Sequence, residues 1–101
     1  MWAQLITMRL KPGKDTAELD KQIRAAEQPG SGLVRTLVMH DQKDPGRVYA
    51  LVVFESEEHA RARERDPRRQ ERLQAARAMM AGIFDGPPQF TDLTVADEWT
   101  G

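Results

Sequence analysis

The chain has 101 residues, 40% hydrophobic and 31% charged, with 15 basic side chains against 16 acidic ones. That length fits a single domain spanning residues 1–101, with a thin core, since a chain this size hides only about 65% of its unfolded surface. The near-neutral charge argues against a nucleic-acid partner, and the lack of cysteine excludes disulfides, thiolate nucleophiles and cysteine-held zinc or iron–sulfur centres.

Residues 2–10 read as a strand. Trp2, Ile6, Met8 and Leu10 share one parity, while Ala3, Leu5, Thr7 and Arg9 share the other, so both faces are largely apolar. Such a strand is usually covered on both sides. Lys11-Pro12-Gly13 stops it. Residues 16–27 read as a helix, with Asp15 and Glu18 at capping-box spacing and Leu19, Ile23 and Ala26 on one stripe. Gln28-Pro29-Gly30-Ser31-Gly32 ends it.

Residues 33–40 and 47–55 read as two strands, joined through Asp41–Gly46 into an antiparallel hairpin. Ser56 caps a helix over 57–65, with Glu57 and Glu58 in the first turn where the helix dipole favours acids. Asp66-Pro67 looks like a fresh cap, so a longer helix is expected over 67–81. Residues 89–97 give a last strand, with Trp99 just beyond. That strand pairs with the first, which predicts that Trp2 and Trp99 lie close together.

The order β-α-β-β-α-β is the split, ferredoxin-like α+β arrangement: both helices on one face of a four-stranded antiparallel sheet of order 4-1-3-2. The second sheet face would carry Ala3, Leu5, Val34, Val38, Tyr49, Leu51 and Val53, too apolar a set to leave in water. A second copy packed sheet to sheet would cover it, so a homodimer forming a dimeric α/β barrel is expected. No apolar run reaches the ~18 residues of a membrane helix. The first apolar run lacks the basic start and small-residue cleavage site of a signal peptide, so no membrane partner and a cytoplasmic location are expected.

Few residues can carry chemistry. The chain has two histidines, one tyrosine and no asparagine. His40 ends a strand beside Asp41 and could act as a base near neutral pH, or simply face water. His59 is in the first turn of a helix and could face the space between helix and sheet. Two histidines without matched spacing make no metal site. Tyr49 lies mid-strand and faces either the helices or a partner. Trp2, Ile6, Met8, Phe54, Met80 and Phe84 could line a greasy pocket or form plain core. The arginines between Arg61 and Arg77 read as a solvated face with ion pairs such as Asp66–Arg69, or as an attractor for an anionic ligand.

Three stretches carry a resemblance. They are the first strand running into Leu10-Lys11-Pro12-Gly13-Lys14, the passage Val53-Phe54-Glu55-Ser56-Glu57-Glu58-His59-Ala60, and Asp66-Pro67 opening a helix shortly after. In this order and spacing they make the chain resemble the antibiotic-biosynthesis-monooxygenase-like (ABM) family of the dimeric α/β-barrel superfamily. The resemblance implies a homodimer with a cavity between sheet and helices in each subunit. It implies chemistry on a small hydrophobic or aromatic molecule, such as oxidation of quinol- or anthrone-like compounds by O₂ with no metal, flavin or other cofactor. In that reading His40 or His59 is the base, and Tyr49 or an arginine steadies the oxyanion. A non-catalytic, ligand-binding or accessory homodimer is the alternative. The family's haem-degrading branch needs an Asn, a Trp and a His where this chain has Ile6, Arg63 and Leu73, so haem degradation is not expected. Cofactor-free members often hold substrate with Asn, Trp and Tyr, and the Asn is missing here.

Overall fold

The computed structural model describes all 101 residues. Eight elements follow in chain order: β1 (Trp2–Arg9), α1 (Ala17–Ala25), β2 (Leu33–His40), β3 (Arg47–Phe54), α2 (Glu57–Arg65), α3 (Pro67–Arg72), α4 (Gln74–Ile83) and β4 (Gln89–Thr94). The four strands form one antiparallel sheet in the order β2-β3-β1-β4, as expected from the right-handed crossovers. No helix is long and apolar enough to cross a membrane.

Several local expectations are corrected. Asp15 does not build a capping box. It accepts the Ala17 N–H at 3.0 Å, while Thr16 takes the cap position and donates its hydroxyl to Asp20. Ser56 and Asp66 cap as expected, accepting the backbone N–H of His59 and of Arg68. The helix expected over 67–81 breaks at Leu73, which closes α3 and opens α4. Leu73 itself is buried in the core. β4 ends at Thr94, three residues earlier than expected. Trp2 pairs with Thr94, so Trp99 lies five residues past the last ladder position. It is 82% exposed, and it is Phe54 that stacks against Trp2, with ring centroids 6.1 Å apart.

The register settles which strand face meets the helices. Val48, Ala50 and Phe54 of β3 are buried, and their cross-strand partners on β1 are Met8, Ile6 and Trp2. Two core clusters form on that side. The larger joins Val48 and Leu10 to Leu19 and Ala26 near α1, to Leu73, and to Ala76 and Phe84 around α4. The smaller joins Trp2 and Phe54 to Ala60 of α2. The opposite face presents Ala3 and Leu5 of β1, Tyr49, Leu51 and Val53 of β3, Leu37 and Met39 of β2, and Leu93 of β4. Val38 is not among them, contrary to expectation. The ladder shifts between Leu33 and Arg35, leaving Val34 unpaired, and Val38 then pairs with Ala50 on the helix side.

Candidate functional site

The two core clusters sit towards opposite ends of the sheet, and a row of side chains between them belongs to neither. It crosses all four strands: Val38 pairs with Ala50, Ala50 with Ile6, and Ile6 with Phe90. The row is apolar throughout. Its outer members are open, with Val38 40% and Phe90 59% exposed. Four strands at a spacing of about 4.8 Å make it about 14 Å long, enough for a multi-ring aromatic.

The next row towards α2 is more polar, running Thr36, Val52, Gln4 and Asp92. The Gln4 side-chain amide donates to Asp92 at 3.0 Å, and Arg61 donates to the other Asp92 oxygen at 3.0 Å. Hydrogen bonds from Gln4 and then from Arg61 hold the Asp92 carboxyl below its ordinary value. Arg61 also reaches Glu57 and Glu64 at 3.2 Å each and lies 5.2 Å over the Trp2 ring. Its charge is therefore taken up. Gln4 uses one of its two amide N–H groups on Asp92, and the other has no acceptor within the chain.

On the other flank, His40 pairs with Val48, so it lies on the helix side two residues from Val38. It is exposed and makes no ion pair or side-chain hydrogen bond. Tyr49 pairs with Thr7 and Met39 on the opposite face. His59 is elsewhere again. Its Nδ1 is 2.6 Å from Ser56 Oγ, and its Nε2 is 3.6 Å from Glu55. Ser56 Oγ also accepts the His59 backbone N–H at 3.2 Å, so the ring is tethered to its own helix cap. The two histidines and the tyrosine thus occupy three separate surfaces.

Of the six residues expected to line a greasy pocket, Trp2 and Phe54 meet in the smaller cluster. Met8, Met80 and Phe84 meet in the larger one. Ile6 alone lies on the row between the clusters. Sequence reading missed Gln4, Val38, Phe90 and Asp92. Gln4 had a signal, being the one polar residue on the parity shared by Trp2, Ile6, Met8 and Leu10.

A polar pocket of about 170 Å³ lies apart from this row, beside the α1–β2 loop and the α2–α3 junction. His59, Glu27, Arg63 and Arg69 line it. Arg63 grips Glu27 with three hydrogen bonds of 2.7–3.2 Å while stacking 5.3 Å over Phe54. Burial alone would raise the Glu27 carboxyl, but hydrogen bonds from Arg63 and Ser31 outweigh it and hold the carboxyl below its ordinary value. No three histidines or carboxylates cluster so as to hold a metal ion.

With this geometry in hand, the fold is that of the ferredoxin-like α+β proteins of the antibiotic biosynthesis monooxygenase type. A protein of Nitrosomonas europaea provisionally described as an antibiotic biosynthesis monooxygenase superposes with a TM-score of 0.70 at 16% identity, over 96% of this chain and 100% of that one. Rv0793 of Mycobacterium tuberculosis gives a TM-score of 0.72 at 17% identity over 98% of each chain. A variant of SnoaB, a cofactor-independent oxygenase of Streptomyces nogalater, gives 0.68 at 15% identity, over 96% of this chain and 94% of that one. No protein-family model matches the sequence, and no curated protein matches it.

Proposed function

We propose that this chain is a cofactor-free, monooxygenase-like enzyme acting on a small hydrophobic or aromatic molecule, and that it works as a homodimer. The observation that carries the reading is the apolar row Val38–Ala50–Ile6–Phe90, exposed at its two ends and buried at Ala50, with an unused amide N–H of Gln4 on one flank and the unpaired His40 on the other. A flat aromatic laid on the row meets a base at one side and an oxyanion donor at the other. Gln4 then takes the place of the family's missing Asn as the amide that steadies the substrate. The shared fold with a cofactor-independent oxygenase supports the same reading.

In this mechanism His40 removes a proton from an activated methylene or phenol of the substrate. The resulting anion, held by Gln4, gives one electron to O₂. The radical and superoxide combine into a C–O bond. Loss of water turns a methylene into a carbonyl, so one oxygen atom of O₂ enters the product and the other leaves as water. The substrate supplies every electron.

The homodimer rests on the second sheet face, where Leu37, Met39 and Leu93 remain half-exposed beside Leu5, Leu51 and Val53. A matching copy would cover them, and Tyr49 would then face the partner rather than the substrate. The single domain and the cytoplasmic location stay part of the proposal.

The test is oxygen uptake with anthrone or a substituted hydroquinone under air. Wild type consumes one O₂ per anthrone. His40→Ala lowers kcat at least 100-fold, while His59→Ala and Tyr49→Phe stay within about threefold. Equal rates in wild type and His40→Ala would sink the base assignment. The scatter of His40, His59 and Tyr49 over three surfaces favours a second reading, a ligand-binding protein without chemistry. Tight binding of the anthrone with no oxygen uptake would establish that one.

A further inference from the structure

The polar pocket beside the α1–β2 loop holds a cation that makes no direct ion pair. Its two carboxylates are both taken: Glu27 by Arg63, and Asp66 by Arg68 at 2.9 Å. Arg69 lines the same pocket, yet it makes no ion pair and donates to no acceptor in the chain. It is half-buried. Desolvation, with Arg63 close by, outweighs the longer-range pull of Glu27 and Glu64 and brings its guanidinium down to about 10. Two further donors face the same space. Gly30 and Ser31 line the pocket, and neither backbone N–H finds an acceptor. Three cationic side chains against two carboxylates leave the wall with one net positive charge. A planar guanidinium left with free N–H groups in a partly dry pocket lacks an acceptor that is itself negative.

We propose that this pocket binds a small oxyanion of the phosphate class, held by Arg69 with support from the Gly30 and Ser31 amides. About 170 Å³ admits a phosphate or the phosphoryl end of a monoester, but not a nucleotide. The site is separate from the apolar row and does not depend on the monooxygenase reading.

The test is titration of the purified protein in low-chloride buffer, first with inorganic phosphate and then with glycerol phosphate. Binding is read by calorimetry and by ¹H–¹⁵N spectra. Saturable binding of one phosphate per chain is expected, with the largest shifts at Gly30 and Ser31. Arg69→Met weakens it at least tenfold, Arg69→Lys restores part of it, and Arg65→Met stays within twofold. Tighter binding of glycerol phosphate would identify an ester as the ligand, and tighter binding of inorganic phosphate the free ion. Because Arg69 has no partner in the chain, Arg69→Met should melt at or above wild type without phosphate, and it should lose the rise in Tm that phosphate gives wild type. The proposal is overturned by non-saturable binding, by equal binding in Arg69→Met, or by a lower phosphate-free Tm in that variant.

Discussion

Gly32 is the position where one methyl group should do most damage. It sits at φ +82°, in the left-handed region, and an added Cβ would lie 2.5–2.6 Å from Cβ, Cγ and Cδ2 of His59. A rotamer change can swing the ring away, but Cβ is fixed by the backbone of α2, so its contact remains. Either α2 shifts by nearly 1 Å or the loop does. A shift of α2 would drag Ala60, which is packed against Trp2 and Phe54. The left-handed backbone costs an ordinary residue about 1–2 kcal/mol, and forcing a methyl into a filled space adds about 1–3 kcal/mol. Stiffening the unfolded chain returns about 0.4–1 kcal/mol, so Gly32→Ala should lose about 2–4 kcal/mol net. Gly13→Ala is the control, since Gly13 has φ +76° but open space around it. It carries the backbone penalty alone, about 1 kcal/mol. Urea unfolding of both variants measures the difference, and each kcal/mol should also move Tm by about 4–8 °C. Equal losses in the two variants would refute the close packing of His59 on the loop.

Val48 is fully buried where β3 meets the larger cluster, so Val48→Ala should cost about 2 kcal/mol in denaturant unfolding. Arg63→Met strands a half-buried Glu27 carboxylate and should cost about 1–3 kcal/mol at pH 7. The Glu27 carboxyl is depressed in the folded state, so its contribution is complete above the unfolded value of 4.5 and is lost as pH falls through the lower folded value. Melting curves across that acid range should therefore fall less steeply for Arg63→Met than for wild type. Leu37→Lys places a charge on the open apolar face and should turn a dimer into a monomer in size-exclusion chromatography with light scattering, with the helical circular dichroism unchanged.

The element order was legible because each element carries its own local signal. Pro12-Gly13, Ser56 and Asp66-Pro67 mark boundaries by backbone chemistry that tertiary packing did not override. The break at Leu73 was not legible, since nothing in Glu71–Ala75 disfavours a helix. Face assignment failed for the same kind of reason. A period of two separates Val38 from Leu37 but does not say which of them meets the helices, and the extra residue at Val34 resets the count. The candidate site suffered most. Its floor takes one residue from each strand, so it exists only in the register, at separations the sequence does not print. Phe90 and Asp92 looked like ordinary edge-strand residues until Ile6 and Gln4 were placed beside them. Arg69 was read as a partner of Asp66, whereas Arg68 takes that carboxylate.

The strand order has a consequence for how the molecule assembles. β1 is made first, yet it lies inside the sheet, with β3 on one side and β4 on the other. Its ladder with β4 joins Trp2 to Thr94, nearly the full span of the chain. Next to that seam, Lys11 donates to Ile83 at 2.8 Å and Asp85 to Arg9 at 2.7 Å, fastening the strand's end to the close of α4. During synthesis, then, β1 emerges with neither neighbour and stays unpaired until about half the chain has followed it. The hairpin of β2 and β3 can close early, since its pairs are local, while the last seam must wait for nearly the whole polypeptide. The slow step of folding should be the docking of β4, and a ribosome stalled before residue 89 would hold a sheet with its first strand bare along one edge.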